Sequence, residues 1–412
     1  MPEFLTPAIA AAVREQFGTP AYVYDHATLE ASARMVLAMG APYGLTARYA
    51  MKANPNLGVL RIFRDLGLHI DASSDHEVER AIRAGFAPDS IQLTSQKPSL
   101  RLAEFVALGV RFNACSLYQL EEFGKVAPGA EVCVRMNPGL GSGGTKRTNT
   151  GGPASSFGIW RDYLPDVLLI AAEYNLRITR LHTHIGSGSD PEVWKRVTRL
   201  TLDLAAQIPD VMTVNMGGGF KVARVEGEKT TDLMDIGAHV REELIAFADR
   251  EGRQLHLEVE PGTYLVANAG AIVATCIDVV DTGEDGYRFA KLDTGMPEVA
   301  RPAMYGAQHP ITVLAEDRTE AEYVFVGPCC ESGDILTPAP GDPEALAPRL
   351  VPSPEIGDLV IVGGAGAYCA AMATINYNSY PQAPEVMLEP DGTLRLLRRR
   401  QDLSQVWQNE IE

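Results

Sequence analysis

Several short runs in this sequence carry side chains that could do chemistry, and all but the last group sit where an apolar run gives way to a turn. Lys52 stands in YAMKANPN, after an apolar run and before a proline-closed turn. A lysine held among apolar neighbours loses charge stability and becomes usable as a neutral amine, the form Schiff-base chemistry needs. His182 and His184 of HTHIGSG lie two residues apart, so strand alternation puts both on one side and a metal pair comes into question. The chain offers His69, Asp71 and Glu260 near other turns but no further histidine cluster. We therefore expect no metal, one packing histidine and one site histidine, His184, which is nearer the glycine-rich loop. NMGGGF (215–220) and Glu260, Pro261, Gly262 and Thr263 place glycines where backbone amides could approach a phosphate closely. Three denser clusters follow: RPAMYG with Arg301 and Tyr305, CCESGD with Cys330 and Glu331, and GAY with Tyr368 followed by NYNS. Composition alone makes Cys330 a small buried hydrophobe rather than a reactive thiol.

The elements that must hold these residues repeat about every 30 residues: an apolar β-rich run, a polar or glycine-rich turn, then helical periodicity. The runs are 46–51, 68–73, 90–95, 110–115, 131–137, 178–185, 212–218 and 254–260. After the second, Ser74 and Glu77 form a capping box, Val78, Ala81 and Ile82 an apolar stripe, and Gly85 a C′ stop. Eight βα units predict a closed parallel barrel whose chemistry collects at the C-terminal strand ends. Beyond about residue 268 short β-like runs alternate with Gly, Pro and Asp turns, which predicts a mainly antiparallel β-domain. The early run AYVYD (21–25) could add a strand to it, and 337–355 reads as a proline-rich loop. The expected boundaries are 26–267 for the barrel and 268–412, with a strand from 1–25, for the β-domain.

The 412 residues carry 36 Lys and Arg against 53 Asp and Glu, a net charge of −17. So acidic a surface argues against nucleic acid or an anionic membrane as partner, while one arginine cluster suffices for a small anionic substrate. With 46% hydrophobic and 22% charged residues, the composition is that of a globular protein with large cores. No secretory signal is visible, and the longest apolar stretch, 264–280, is broken by Asn268, Gly270 and Asp278, short of the roughly 20 apolar residues of a membrane span. Six cysteines without C-x-x-C spacing read as reduced thiols of a cytoplasmic protein.

Taken together, YAMKANPN, DASSDHEVERA, RMNPG, FGI, HTHIGSG, GGGF, EPG, RPAMYGAQH, CCESGD, GAY and NYNS resemble the fold-type III pyridoxal-phosphate decarboxylases, in order and across nearly the whole chain. Within that group they are similar to the diaminopimelate decarboxylases. The resemblance implies an alanine-racemase-like barrel plus β-domain, and a homodimer in which the partner's β-domain completes each active site. It implies that Lys52 forms the Schiff base with pyridoxal 5′-phosphate and that His184 stacks on its ring. Gly218, Gly219 and the turn Glu260–Thr263, with Pro261 and Gly262, would hold phosphate and ring, and Glu260 would pair with the pyridinium nitrogen. Arg301 and Tyr305 would bind a substrate carboxylate, and Tyr368 would touch cofactor and substrate. From the other subunit, Cys330 would protonate the carbanion and Glu331 would hold the distal ammonium. The implied reaction removes CO₂ from the D-centre of meso-2,6-diaminopimelate to give L-lysine, the last step of lysine biosynthesis.

Some positions depart from that pattern. The family's EPGR is EPGT here, so Thr263 replaces an arginine that helps bind the distal carboxylate; SRPRAPE is SYPQAPE, with Tyr380 and Gln382, and TSQKP stands for an Asn-rich run. Losing one arginine of a carboxylate clamp costs about 1.5–3 kcal/mol unless something substitutes for it. Lys97, Lys146 and Arg147 are the candidates the sequence offers. The alternatives are a decarboxylase of another amino acid or of a polyamine or siderophore precursor, a racemase, and a non-catalytic regulatory homologue. A racemase needs a second base opposite the lysine. A silent homologue would be expected to lack Lys52 or Cys330, and both are present.

Overall fold

The computed structural model describes residues 1–144, 146–188 and 190–411. It divides into two compact units, one made of Glu30–Val222 and Lys229–Leu265, the other of Met1–Leu29, Ala223–Glu228 and Val266–Glu412.

In the first unit eight parallel strands close on themselves: Leu45–Ala50, His69–Ala72, Ile91–Leu93, Arg111–Ala114, Glu131–Asn137, Arg177–His182, Thr213–Asn215 and His256–Val259. The ring shuts through Asn113 opposite Cys133 and Leu257 opposite Leu45. Each expected run overlaps one of these strands. The helices between them start where the sequence supplies caps: Asn56, Ser74, Ser116, Asp190 and Asp232 each accept a backbone N–H of the first turn. At Asp75–Ala84 the box is shifted by one residue, because the Glu77 carboxylate takes the Ser73 amide at 2.6 Å. Val78 and Ala81 are fully buried there, but Ile82 lies on the exposed border of the stripe. Gly85, at φ +95°, ends the helix.

Alternation along the strands points Arg48, Gln92, Asn113, Arg180, Asn215 and Glu258 into the barrel, and all are buried. Glu258 carries the negative charge of this layer. Its carboxylate meets Arg48 Nη2 at 2.8 Å, pairs with Arg180, and accepts from Asn215 at 3.3 Å. Burial alone would raise the Glu258 pKa, but the two guanidiniums outweigh it and hold it at about 2.

The second unit is built on a nine-stranded mixed sheet, most of whose pairings are antiparallel. Ala21–Asp25, fully buried, lies in its middle, antiparallel to Gly270–Asp281 and parallel to Glu385–Leu388. Gly270–Asp281 also pairs with Arg288–Leu292 and Leu359–Val362, so the apolar stretch 264–280 is largely a long strand. Helix Pro7–Phe17 buries Ala10 and Val13 against Val23, Val273, Ile361 and Leu388. Segment 337–355 is not the loop expected from its prolines. Pro338–Ala339 pairs with Asp342–Leu346, and Arg349–Pro352 forms an edge strand on Glu320–Val326. An edge strand pairs on one side only, which is where a sheet tolerates proline. No helix among the described residues is long and apolar enough to cross a membrane.

Candidate active site

At the barrel mouth the first strand runs into the turn Met51–Ala53. Met51 and Ala53 are buried, whereas the Lys52 side chain is exposed. The apolar cradle expected around Lys52 is therefore absent: its sequence neighbours turn into the core and the amine projects the other way. The Lys52 charge acts instead on Asp71 and Glu77 of the next βα unit, and on His184.

Glu260, just past the last strand, is 7% exposed and well furnished with donors. One carboxylate oxygen accepts from Asn215 Nδ2 at 2.7 Å and Gln92 Nε2 at 2.9 Å, and the other lies 3.2 Å from His182 Nε2. Burial raises its pKa, but the His182 contact and the Arg135 charge outweigh burial and hold the group ionised. Asp71 shows the converse: burial and the Glu260 charge push it up, against the pull of Lys52. His182 is the packing histidine, 1% exposed, with Nδ1 2.6 Å from Asn113 Nδ2.

His184 lies against the glycine loop. The Gly218 amide donates to His184 Nδ1 at 3.1 Å, which places the ring proton on Nε2. Burial, Arg135 and Lys52 push its pKa well below the ordinary value, so the ring is neutral. The close approach explains two glycines. A Cβ on Gly217, whose φ is +65°, would come within 2.5 Å of His184 Nδ1, and one on Gly218 within 2.1 Å of the Glu260 carbonyl oxygen. The two loops are tied by Glu260 N donating to Gly217 O at 2.7 Å, and Trp194 Nε1 donates to Gly218 O at 3.2 Å. Among the described residues the amides of Gly219, Gly262 and Thr263 find no protein acceptor. Pro261 and Gly262 are buried and Thr263 half-buried.

Within the β unit, Arg301 opens the short helix Arg301–Tyr305. Arg301 Nη1 donates to His309 Nε2 at 2.8 Å, and His309 Nδ1 donates to Gly363 O at 2.9 Å. Tyr305 is half-buried, its hydroxyl 4.0 Å from Met372 Sδ. Tyr368 adopts φ +56°, a backbone strain that non-glycine residues hold where structure over-determines them. Buried Asp334 folds the CCESGD loop by accepting from Met296 N at 2.7 Å and Cys329 N at 2.9 Å. Above it Asn378 accepts from Cys330 N at 2.8 Å, and the Tyr377 hydroxyl donates to Glu331 at 3.4 Å. Cys330 is exposed, not the buried hydrophobe that composition favours, because Asp334 anchors the loop beneath it. Its neighbour Cys329 is half-buried, and burial and Asp334 push its thiol up to about 12.

Residues 29–267 match the family described as pyridoxal-dependent decarboxylase, pyridoxal binding domain. Across both units the chain is 36% identical to the diaminopimelate decarboxylase of Streptomyces coelicolor, covering 98% of this chain and 92% of that one. It is 34% identical to that of Escherichia coli K12, covering 96% and 94%. This chain belongs to the diaminopimelate decarboxylase family. The crystal structure of one diaminopimelate decarboxylase superposes with a TM-score of 0.91 at 33% identity, over 99% of this chain and 97% of the other. The Helicobacter pylori diaminopimelate decarboxylase, solved in complex with L-lysine, gives 0.86 at 27%, over 97% and 98%.

The family's cofactor, pyridoxal phosphate, fits the barrel mouth. An exposed amine, a neutral imidazole, an ionised buried carboxylate and unpaired amides beside glycines that exclude any Cβ are the donor set this cofactor needs. Sequence reasoning passed over Gln92, Asn113, Arg135, Asn215 and His309, which tune or aim these groups. Gln92 and Asn113 left a readable signal as polar residues in otherwise apolar strands.

Proposed function

We propose that this chain, with pyridoxal 5′-phosphate bound, decarboxylates meso-2,6-diaminopimelate at its D-configured centre to give L-lysine and CO₂. The observation that carries the reading is the match to diaminopimelate decarboxylases through both units, since the barrel alone would fit a wider set of pyridoxal enzymes. When bound, the cofactor supplies the electron sink for the charge left as CO₂ departs.

Lys52 presents the primary amine that carries the cofactor and later releases product. Glu260, held ionised, keeps a proton on the pyridine nitrogen, and neutral His184 offers a flat face to the ring without repelling that charge. Gly218 and Gly219, with the turn Glu260, Pro261, Gly262 and Thr263, cradle the phosphate through backbone amides. Arg301 and Tyr305 bind the substrate's distal carboxylate, and Tyr368 packs against substrate and cofactor. Cys330 and Glu331 act on the site of a second copy: the thiol returns a proton to Cα, and the carboxylate holds the distal ammonium. Their exposure on a firmly folded loop supports service to another subunit in a homodimer. Six free cysteines suit a reducing cytoplasm.

The test is CO₂ release by the cofactor-loaded protein on meso-diaminopimelate, with chiral analysis of the product. L-lysine is expected; a coloured protein that releases no CO₂ would overturn the substrate. Thr263 favours one second reading, a decarboxylase whose substrate lacks a distal carboxylate, and faster release from D-lysine or D-ornithine in the same assay would establish it.

A further inference from the structure

The β unit holds two arginines on one turn, and one of them belongs to no expected motif. Arg224 lies in the six-residue segment Ala223–Glu228, which groups with this unit. Its Nε donates to the carbonyl of Gly364 at 3.0 Å. Arg301 is held by the preceding carbonyl, through His309 to Gly363. The fit at Arg224 is close, since a Cβ on Gly364 would come within 2.8 Å of Arg224 Cδ, and Gly364 sits at φ +62°. So Gly363–Gly364 anchors both guanidiniums from consecutive peptide units.

What the pair lacks is an anion. Arg224 Nη2 is buried and has no hydrogen-bond partner. Among the described residues no carboxylate lies within ion-pair distance of either guanidinium. Glu228 binds the Arg224 backbone N–H at 2.7 Å and leaves the side chain unpaired. His309, with one nitrogen donating to Gly363 and the other accepting from Arg301, is neutral and adds no negative charge. Two neighbouring half-buried cations, one with a buried unused donor, repel each other and are stabilised by a bound anion. Burial first, then the Arg301 charge, pulls the Arg224 pKa down to about 9, which reports the same crowding.

We infer that Arg224 is a substrate-binding residue which, with Arg301, clamps the distal carboxylate and takes over the function of the arginine that Thr263 replaces. The inference rests on the proposed activity for the identity of the carboxylate. Lys97, Lys146 and Arg147 belong to the barrel unit, and no comparable burial recommends them.

L-Lysine and 1,5-diaminopentane differ only in the carboxylate, so their affinities for the cofactor-loaded protein isolate the clamp. Calorimetry on wild type should favour L-lysine at least tenfold. Arg224→Gln should erase about 10- to 100-fold of lysine affinity, leave diaminopentane affinity within twofold, and raise KM for diaminopimelate far more than it lowers kcat. Arg224→Lys should recover part of the loss, showing that a charge is needed there. Wild type without a lysine preference, or Arg224→Gln that keeps it, would overturn the inference. A variant that loses affinity for both ligands would overturn it too, since that marks a structural role. Failure of wild type to release CO₂ while the lysine preference disappears in Arg224→Gln would reject the proposed activity and retain the clamp.

Discussion

Around their candidate site residues the two units treat charge in opposite ways, although the β unit also pairs buried Glu385 with Arg398. In the barrel every buried carboxylate that stays ionised has its counter-charge or donors inside the same unit: Glu258 has Arg48 and Arg180, and Glu260 has His182, Asn215 and Gln92. In the β unit Arg224 and Arg301 rest on backbone carbonyls and a neutral imidazole, and Cys330 and Glu331 stand exposed. In the barrel half the ionised buried carboxylates are matched within the unit, although Arg135 Nη2 is buried there without a hydrogen-bond partner. The β half is an assembly waiting for a ligand or a neighbour.

The sharpest break of the comparison is Lys52→Ala. Turnover should fall by about 10⁴-fold or more, and the visible band of a lysine-bound cofactor should vanish; retention of that band would remove Lys52 from its assigned role. Next comes the barrel's own balance. Glu258→Gln leaves Arg48 and Arg180 buried with half their pairing, and should lower unfolding stability by about 3–5 kcal/mol in denaturant titration. The same group sets an acid limit. Its folded pKa, about 2, lies below the ordinary 4.5, so its contribution is complete above pH 4.5 and is lost as the pH falls from there through about 2. Wild type should lose stability over that window, and Glu258→Gln should show a shallower slope.

Smaller effects belong to the β half. Cys330→Ala should cut turnover about 100-fold with unchanged cofactor colour and melting temperature; unchanged turnover would exclude the thiol as acid. Mixing it with the Lys52→Ala protein should restore activity to a fraction of sites if subunits share them, and no restoration would argue for sites built within one chain. Smallest is His309→Phe, which frees Arg301 without removing it. KM for diaminopimelate should rise about tenfold with kcat within twofold, and a fall in kcat alone would place His309 elsewhere in the mechanism.

Much of this was legible in the residues themselves. Eight apolar runs, five of them followed by a residue that caps the next helix, specified the barrel because βα units announce themselves locally. The glycines at 217 and 218 were legible as close-approach positions, though only the structure shows that His184 and the Glu260 carbonyl press on them. Harder to read were residues whose meaning depends on distant partners. Arg224 has ordinary neighbours in sequence, and its role emerges only where Gly364, 140 residues on, receives its guanidinium. Lys52 was misjudged for a related reason: apolar sequence neighbours do not make apolar surroundings when they point the other way. The strands within 337–355 were hidden because proline argues against a strand without telling an edge from a centre.

The strand Ala21–Asp25 sits in the middle of its sheet, yet it leaves the ribosome well before both strands that flank it. The hydrogen bond from its Tyr24 hydroxyl to Glu385 closes a loop of 361 residues. At about 5–20 residues per second, that partner emerges roughly 20–70 seconds later. AYVYD is an apolar strand with both edges open until Gly270–Asp281 emerges, and with one edge open until Glu385–Leu388 follows, while the barrel that lies between can already close. Nascent chains of this protein should therefore depend on a chaperone at this strand rather than at the barrel, and a stalled chain ending near residue 300 should aggregate through that strand's open edge.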